Sequence, residues 1–340
     1  MTSRELTKKT LRFEEVPRPP RYLWTIPYVT SYMQGDLEKF LQRFPLDITM
    51  DSGVKYGNSR YSGGVYGRIG SYVDAFGCER RMLEDGVAGE VKDPRIKTKT
   101  DLDDYELPVE LLDGADFSGQ LEAYKSTDLF VCGGTLVSPF ERMQFLRGTE
   151  QLFIDIATED PIFFRLREML HEFFLLDIKM MSERAVDGVL FVDDWGTQRS
   201  LLISPEAWRK FFKPMYREYC EIIRASGKFV FFHCDGYIEA ILDDLFEIGV
   251  DALNAQLFIM DAEKIGAKYA RKLTFWGDLD RQGSLSFGTE DEVRADVRRL
   301  LKAVAPVKKT GFIAHTEWET TIPYANIAAA YDEFDRSWLN

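Results

Sequence analysis

The chain has 340 residues, 45% hydrophobic and 14% aromatic, enough apolar surface for a sizeable core and too much for a disordered chain. A formal charge of −13 argues against nucleic acid as a partner, because phosphate binding needs a basic surface. The four cysteines, Cys78, Cys132, Cys220 and Cys234, have no CxxC pair and no regular spacing, so a disulfide framework is not expected. No apolar run approaches the roughly 20 residues of a membrane helix, and the charged N-terminus lacks a signal core, so a cytoplasmic protein is expected.

Residues 1–20 read as a polar arm ending in Pro17, Pro19 and Pro20, which cannot continue a helix or a central strand. From Tyr22 to Asp51, a short apolar run, the helical GDLEKFLQRF and then LDITMD suggest the first strand and helix elements. Residues 53–90 are rich in glycine and tyrosine, without helical period; a long irregular segment of this kind is usually functional. From Leu129 the pattern becomes regular. The strands LFVCGGT, DGVLFVDD, KFVFFHC, ALNAQ, LTFWGD and GFIAHT alternate with helices. One helix is opened by Ser204-Pro205 and another by a capping box of Thr289 with Glu292. Six such units plus two from the N-terminal third make eight, the number that closes a (β/α)8 TIM barrel of the α/β class, one domain over 1–340. An open doubly wound sheet should carry a glycine-rich phosphate turn, and neither GxGxxG nor GxxxxGKS is present.

The ends of these strands hold the reactive side chains. In a barrel they converge on one mouth. Asp193 and Asp194 follow GVLFV, with Gln198 and Arg199 beyond; His233, Cys234 and Asp235 follow FVFF; Asn254 and Gln256 end ALNAQ; Asp278 and Asp280 follow TFWG; His315, Thr316 and Glu317 end GFIA. His233 and Asp235 are two apart and share a face, with Cys234 opposite. With His315 or Glu317 they offer three N/O ligands, enough for a zinc site with an open position; the alternative is a mutual hydrogen bond. Only one of Asp193 and Asp194 can face the mouth, the other capping the turn at Gly196; the pair could also divide acid and base work. Trp195, Trp276 and Trp318 near strand ends are either an aromatic wall for a flat substrate or rim packing. His171 lies within a helical pattern and reads as a partly exposed helix residue.

The segments FGCERRMLEDGVAGEV, VDDWGTQRSLLISPEAWRKFFKPMY, FHCDGYI, TFWGDLDRQ and IPYANI, in that order, resemble the motifs of the uroporphyrinogen decarboxylase superfamily. That superfamily includes the decarboxylase and the corrinoid-linked methyltransferases, and the resemblance implies the same barrel. The decarboxylase branch carries an RQAGR segment near its start to bind propionates and an FSDI aspartate. Here the start reads RPPRYLWTIPYVTS and the aspartate analogue lies in LDITMD, so porphyrinogen decarboxylation is the second expectation and a non-catalytic family member the third. The methyltransferase branch uses zinc on an H-x-C turn and a cysteine of the last strand. At those places this chain has His233, Asp235 and Thr316, flanked by His315 and Glu317, which implies a metal site of His233, Asp235, His315 and Glu317 or no metal.

The leading expectation is therefore methyl transfer from a small methoxylated or N-methylated donor to a corrinoid (cobalamin-type) cofactor on a partner protein. Asp193, Asp194 and Glu317 would act in catalysis. Tyr56, Asn58, Tyr61, Trp195, Gln198, Asn254, Gln256, Trp276 and Asp278 would bind the substrate, the three from the glycine-rich segment as a lid or pocket wall. A homodimer is a further expectation, though no motif carries it.

Overall fold

The computed structural model describes residues 1–86, 89–305 and 309–339. Eight strands form one sheet: β1 (Arg21–Thr25), β2 (Ile48–Thr49), β3 (Phe130–Gly134), β4 (Gly188–Val192), β5 (Phe229–Cys234), β6 (Ala252–Ala255), β7 (Thr274–Trp276) and β8 (Phe312–Trp318). Their spatial order is β1-β8-β7-β6-β5-β4-β3-β2, and every neighbouring pair is parallel. The two end strands also meet. Asp47 N–H donates to the Arg21 carbonyl at 2.8 Å, and the Asp47 carboxylate accepts the Arg21 N–H at 2.8 Å. The sheet therefore curls into the expected (β/α)8 barrel, nearly closed.

Each strand is a short Val/Phe/Ile-rich run buried on both faces, which is why it reads as nearly continuous apolar sequence. Alternate residues divide between two cores. Tyr22, Phe130, Leu190, Phe231, Trp276 and Ile313 fill the barrel interior, while Val131, Phe191, Phe232 and Phe312 pack outward against the helices. The helix starts follow local chemistry. Ser204 Oγ accepts the Ala207 N–H at 3.1 Å ahead of the helix Pro205–Phe211. Thr289 and Glu292 close a capping box on Glu290–Val304.

The arm before the proline cluster carries a helix, Ser3–Leu11, which patterning did not show because its polar residues outnumber its apolar ones. Leu6 and Leu11 are buried, Leu11 entering the floor of the barrel interior. Arg4 and Lys8 reach Asp187 at 3.0 and 2.6 Å, so this helix seals the end of the barrel where the strands begin. The glycine- and tyrosine-rich segment is also more ordered than expected. It contains an antiparallel sheet of Gly70–Val73, Glu79–Met82 and Glu90–Asp93. Asp74 fastens it to the barrel, accepting the N–H groups of Phe76 and Cys78 at 2.9 Å each and pairing with Arg142 at 2.7 Å. Val87 and Ala88 of the matching family motif lie outside the described residues. His171 bridges two helices through Tyr219 at 2.9 Å and Glu218 at 3.1 Å. No helix of the described residues is long and apolar enough to cross a membrane.

Candidate active site

The strand ends are drawn together by two glycine turns. Gly236, after β5, has φ +87°, and a Cβ built there would fall 2.2 Å from the backbone of Gly196, which follows β4. Only glycine permits that approach. It lets the Gly196 N–H donate to the Asp235 carbonyl at 3.2 Å, and the Asp235 N–H donate to Asp194 Oδ1 at 2.8 Å.

His233 stands at the centre of the mouth. Its Nδ1 is 2.6 Å from Asn254 Oδ1, and the Asn254 amide donates in turn to the Trp276 carbonyl. Because that amide group is occupied as a donor, Oδ1 is the acceptor. Nδ1 of His233 therefore carries the proton, leaving Nε2 free toward the mouth. Nε2 faces Asp194 at 3.7 Å and Asp235 at 3.9 Å. The mouth's walls desolvate Asp194 and push its carboxyl up, the charge of Asp235 adding to the push against the pull of His233. Burial likewise raises Glu141, with the nearby charge of Asp194 contributing.

On the other side of the mouth Arg281 is a hub. Its guanidinium contacts Asp235 at 2.5 Å, Asp278 and Glu319 at 3.2 Å each, and Glu317. The side chain is only 8% exposed. Burial drives the Asp278 carboxyl up to about 7, Arg281 opposing the shift and the charge of Asp235 reinforcing it.

Beneath these groups lies an aromatic floor. Tyr22 and Trp24 of β1 are two apart and point inward beside their register partners His315 and Glu317. Trp24 stands edge-on to His233 with centroids 4.8 Å apart and lies 5.2 Å from Trp276; Tyr22 stacks on His315 at 5.6 Å. His315 is fully enclosed, and desolvation holds it well below the usual histidine range, as a neutral ring.

Several expected roles change. Asp193 is the outward member of its pair: its carboxylate caps the helix Pro139–Arg147 through the N–H groups of Phe140 and Glu141 at 2.8 Å each and accepts the Tyr216 hydroxyl. Its carboxylate is engaged there, on the helix side of the strand. Trp195 is core, stacked on Phe140 at 3.9 Å with its Nε1–H on the Tyr216 oxygen at 3.0 Å. Trp318 likewise faces the helices. Gln256 holds the turn through the Gly236 N–H at 3.2 Å, and Gln198 is exposed in the turn after β4. Tyr56 joins Asp177 at 2.7 Å and the Gly134 carbonyl at 3.3 Å; Tyr61 donates to the Glu106 carbonyl at 2.8 Å; Asn58 is exposed. None of these three is hydrogen-bonded to the mouth's carboxylates. Asn254, Trp276 and Asp278 do belong to the mouth. Arg281, Trp24, Tyr22, Glu141 and Glu319 were missed by sequence reasoning. The even spacing of Tyr22 and Trp24 on one apolar run was the available signal for those two, and nothing in the spacing marked Arg281.

The metal set changes as well. Among the described residues, the acidic and histidine side chains close enough to share an ion are Asp194, His233 and Asp235, their ligand atoms within 4.8 Å of one another. His315 lies a layer below against Tyr22, and Glu317 is held by Arg281. The thiolate zinc that the family resemblance implies does not fit these residues. Cys234 and Thr316 face outward from their strands, and Asp235, standing where a relative has cysteine, is an oxygen ligand already engaged by the Arg281 guanidinium.

A profile of the uroporphyrinogen decarboxylase (URO-D) family matches residues 65–335, most of the chain. The chain belongs to the uroporphyrinogen decarboxylase family. A solved methyltransferase from Methanosarcina mazei superposes with a TM-score of 0.70 at 16% identity, covering 99% of each chain, which shows the shared fold. A glycosylated endo-beta-1,4-xylanase from Gloeophyllum trabeum gives a TM-score of 0.46 at 11% identity over 98% of this chain and 99% of its own. No curated protein sequence matches.

Proposed function

We propose that this family member is a methyltransferase that moves a methyl group from a small methylated compound to the cobalt of a separate corrinoid protein. The observation that carries the reading is the charge of the mouth. Its arginine, Arg281, is spread over four carboxylates, and Asp194 and Glu141 add further acid. A porphyrinogen with several carboxylates would meet repulsion there, so decarboxylation of that substrate is poorly matched. The end-to-end likeness to a protein named as a methyltransferase points the same way, at the level of fold.

The chain's own contribution is binding and proton placement. Asn254 orients His233 so that Nε2 faces the donor between Asp194 and Asp235. A proton carried on Nε2, or on the raised carboxyl of Asp194, can pass to a leaving oxygen or nitrogen as the methyl carbon departs. The nucleophile belongs to the corrinoid substrate, so no covalent intermediate on this chain is required. The test is methyl transfer from a panel of aryl methyl ethers and N-methylated compounds to cob(I)alamin, followed by absorbance. Transfer from at least one donor is expected, with His233→Ala slowing it at least about 100-fold. No transfer from any donor, together with turnover of uroporphyrinogen, would reverse the assignment.

A further inference from the structure

The side chains that a ligand meets first at the mouth are acidic. Asp194, Asp235 and Glu317 are 44%, 31% and 23% exposed, whereas Arg281 lies behind them with its charge already shared. His315 stays neutral and brings no positive charge to the floor. Half-buried Trp24 adds an aromatic ring to this acidic rim, with the buried Trp276 and Tyr22 packed behind it at 5.2 and 6.3 Å. Aromatic faces beside carboxylates favour a weakly hydrated organic cation over a neutral or anionic ligand. A second, independent feature lies below. Trp276 Nε1, in a side chain 0% exposed, has no hydrogen-bond partner. Buried polar atoms are seldom left unpaired in a native protein, and one accepting oxygen would satisfy this donor.

We infer that the mouth is a site for a small methylated ammonium compound bearing a neutral oxygen, of the N-methylated amino-alcohol type, and that this cation is the methyl donor; the second clause rests on the methyl-transfer reading above. The chemistry suits the residues present. In a quaternary ammonium the C–N bond breaks with its electron pair staying on nitrogen, which leaves as a neutral tertiary amine. The new bond to carbon is made by the electron pair of the reduced corrinoid cobalt. Neither a proton nor a Lewis acid is needed on the leaving nitrogen, so a mouth built without thiolate ligands loses nothing for this donor, whereas an ether oxygen would leave as an alkoxide unless protonated.

The experiment compares choline with 3,3-dimethylbutan-1-ol, which has the same shape and hydroxyl but no charge, by calorimetric titration of the full chain. Choline is expected to bind at least about tenfold more tightly, and Trp24→Leu to lower choline affinity about fivefold or more while leaving the neutral isostere little changed. Asp194→Asn, at a side chain exposed enough not to decide folding, should also narrow the preference. Equal or tighter binding of the neutral compound, tighter binding of 3-methylbutanoate, or no binding of any of them would overturn the inference. The two readings fail separately. Selective choline binding without methyl transfer to cob(I)alamin keeps the cation site and removes the methyltransferase. Transfer from ethers with no preference for the cation does the reverse.

Discussion

The two ends of the barrel treat carboxylates in opposite ways. Where the strands begin, each buried acid has its own cations and backbone donors. Asp47 takes Arg18 at 2.5 Å and the Arg21 N–H at 2.8 Å. Asp187 takes Arg4, Lys8, the Tyr124 hydroxyl at 2.8 Å and the Val131 N–H at 2.9 Å. Asp251 takes Arg224 at 3.0 Å and the Val230 N–H at 2.8 Å. Where the strands end, Asp235, Asp278, Glu317 and Glu319 share one guanidinium, and Asp194 meets His233 and a backbone N–H among the described residues. Matched charge at the first end serves stability; unmatched charge at the second is retained against stability, which is the mark of a site.

The comparison breaks most visibly at the matched end. Asp187→Ala removes the partner of two cations and leaves Arg4 held in a partly buried place, so unfolding free energy should fall by about 3–5 kcal/mol. Urea denaturation measures it. The folded variant should bind ligands at the mouth as the parent does. A loss under about 1 kcal/mol would show that the sealing helix is incidental to stability.

At the unmatched end the same kind of change acts on several acids together. Arg281→Gln leaves buried Asp278 without its cation and allows Asp235, Glu317 and Glu319 to repel one another, at a cost of about 3 kcal/mol at neutral pH. Lowering the pH should restore part of that loss as Asp278 takes up its proton, whereas the Asp187→Ala loss should not recover in this way. Arg281→Lys keeps the charge but not the fork, and should fall between parent and glutamine variant. If the glutamine variant matched the parent at every pH, the four carboxylates would not be coupled through this residue.

How much of this was legible follows from periodicity. A strand alternates with period two, so His233 with Asp235, and Cys234 opposed to them, could be read from FVFFHCD, and the eight short apolar runs marked the eight strands. Alternation also dictated that Asp193 and Asp194 must part, but not which would face the mouth; that depended on the register of β4 with β5. His315 and Glu317 are two apart and so share one face of β8, yet depth along a strand has no signature in one sequence. His315 sits one layer too low to reach the group formed by His233. Arg281 lies beyond β7 in a loop, where no period fixes the direction of a side chain, so the residue that most shapes the site was the least visible. The helix Ser3–Leu11 was hidden for a different reason: its anchoring is ionic, through Arg4 and Lys8, and hydrophobic patterning does not register that.

The smallest effect concerns the proton on Asp278. In the unfolded chain this carboxyl titrates near the ordinary aspartate value of about 3.9. In the folded chain burial holds it up to about 7. Between those values the folded protein binds more protons than the unfolded one, so stability falls as pH rises through the window and levels off above it. Asp278→Asn cannot titrate and should remove that part of the slope, amounting to about 2 kcal/mol between pH 5 and pH 8. Burial also raises Asp177, to about 6, and raises Glu141 and Asp194, which add to this slope, whereas the depressed His315 and His171 oppose it. Urea unfolding of parent and variant at pH 5, 6, 7 and 8 gives the two curves. They should lie closest at pH 5, draw apart up to about pH 7 and run parallel above it, with the asparagine variant the more stable of the two. Parallel curves would mean that Asp278 is ionised throughout, with Arg281 alone matching it. The mouth would then resemble the matched end of the barrel more closely than its other carboxylates suggest.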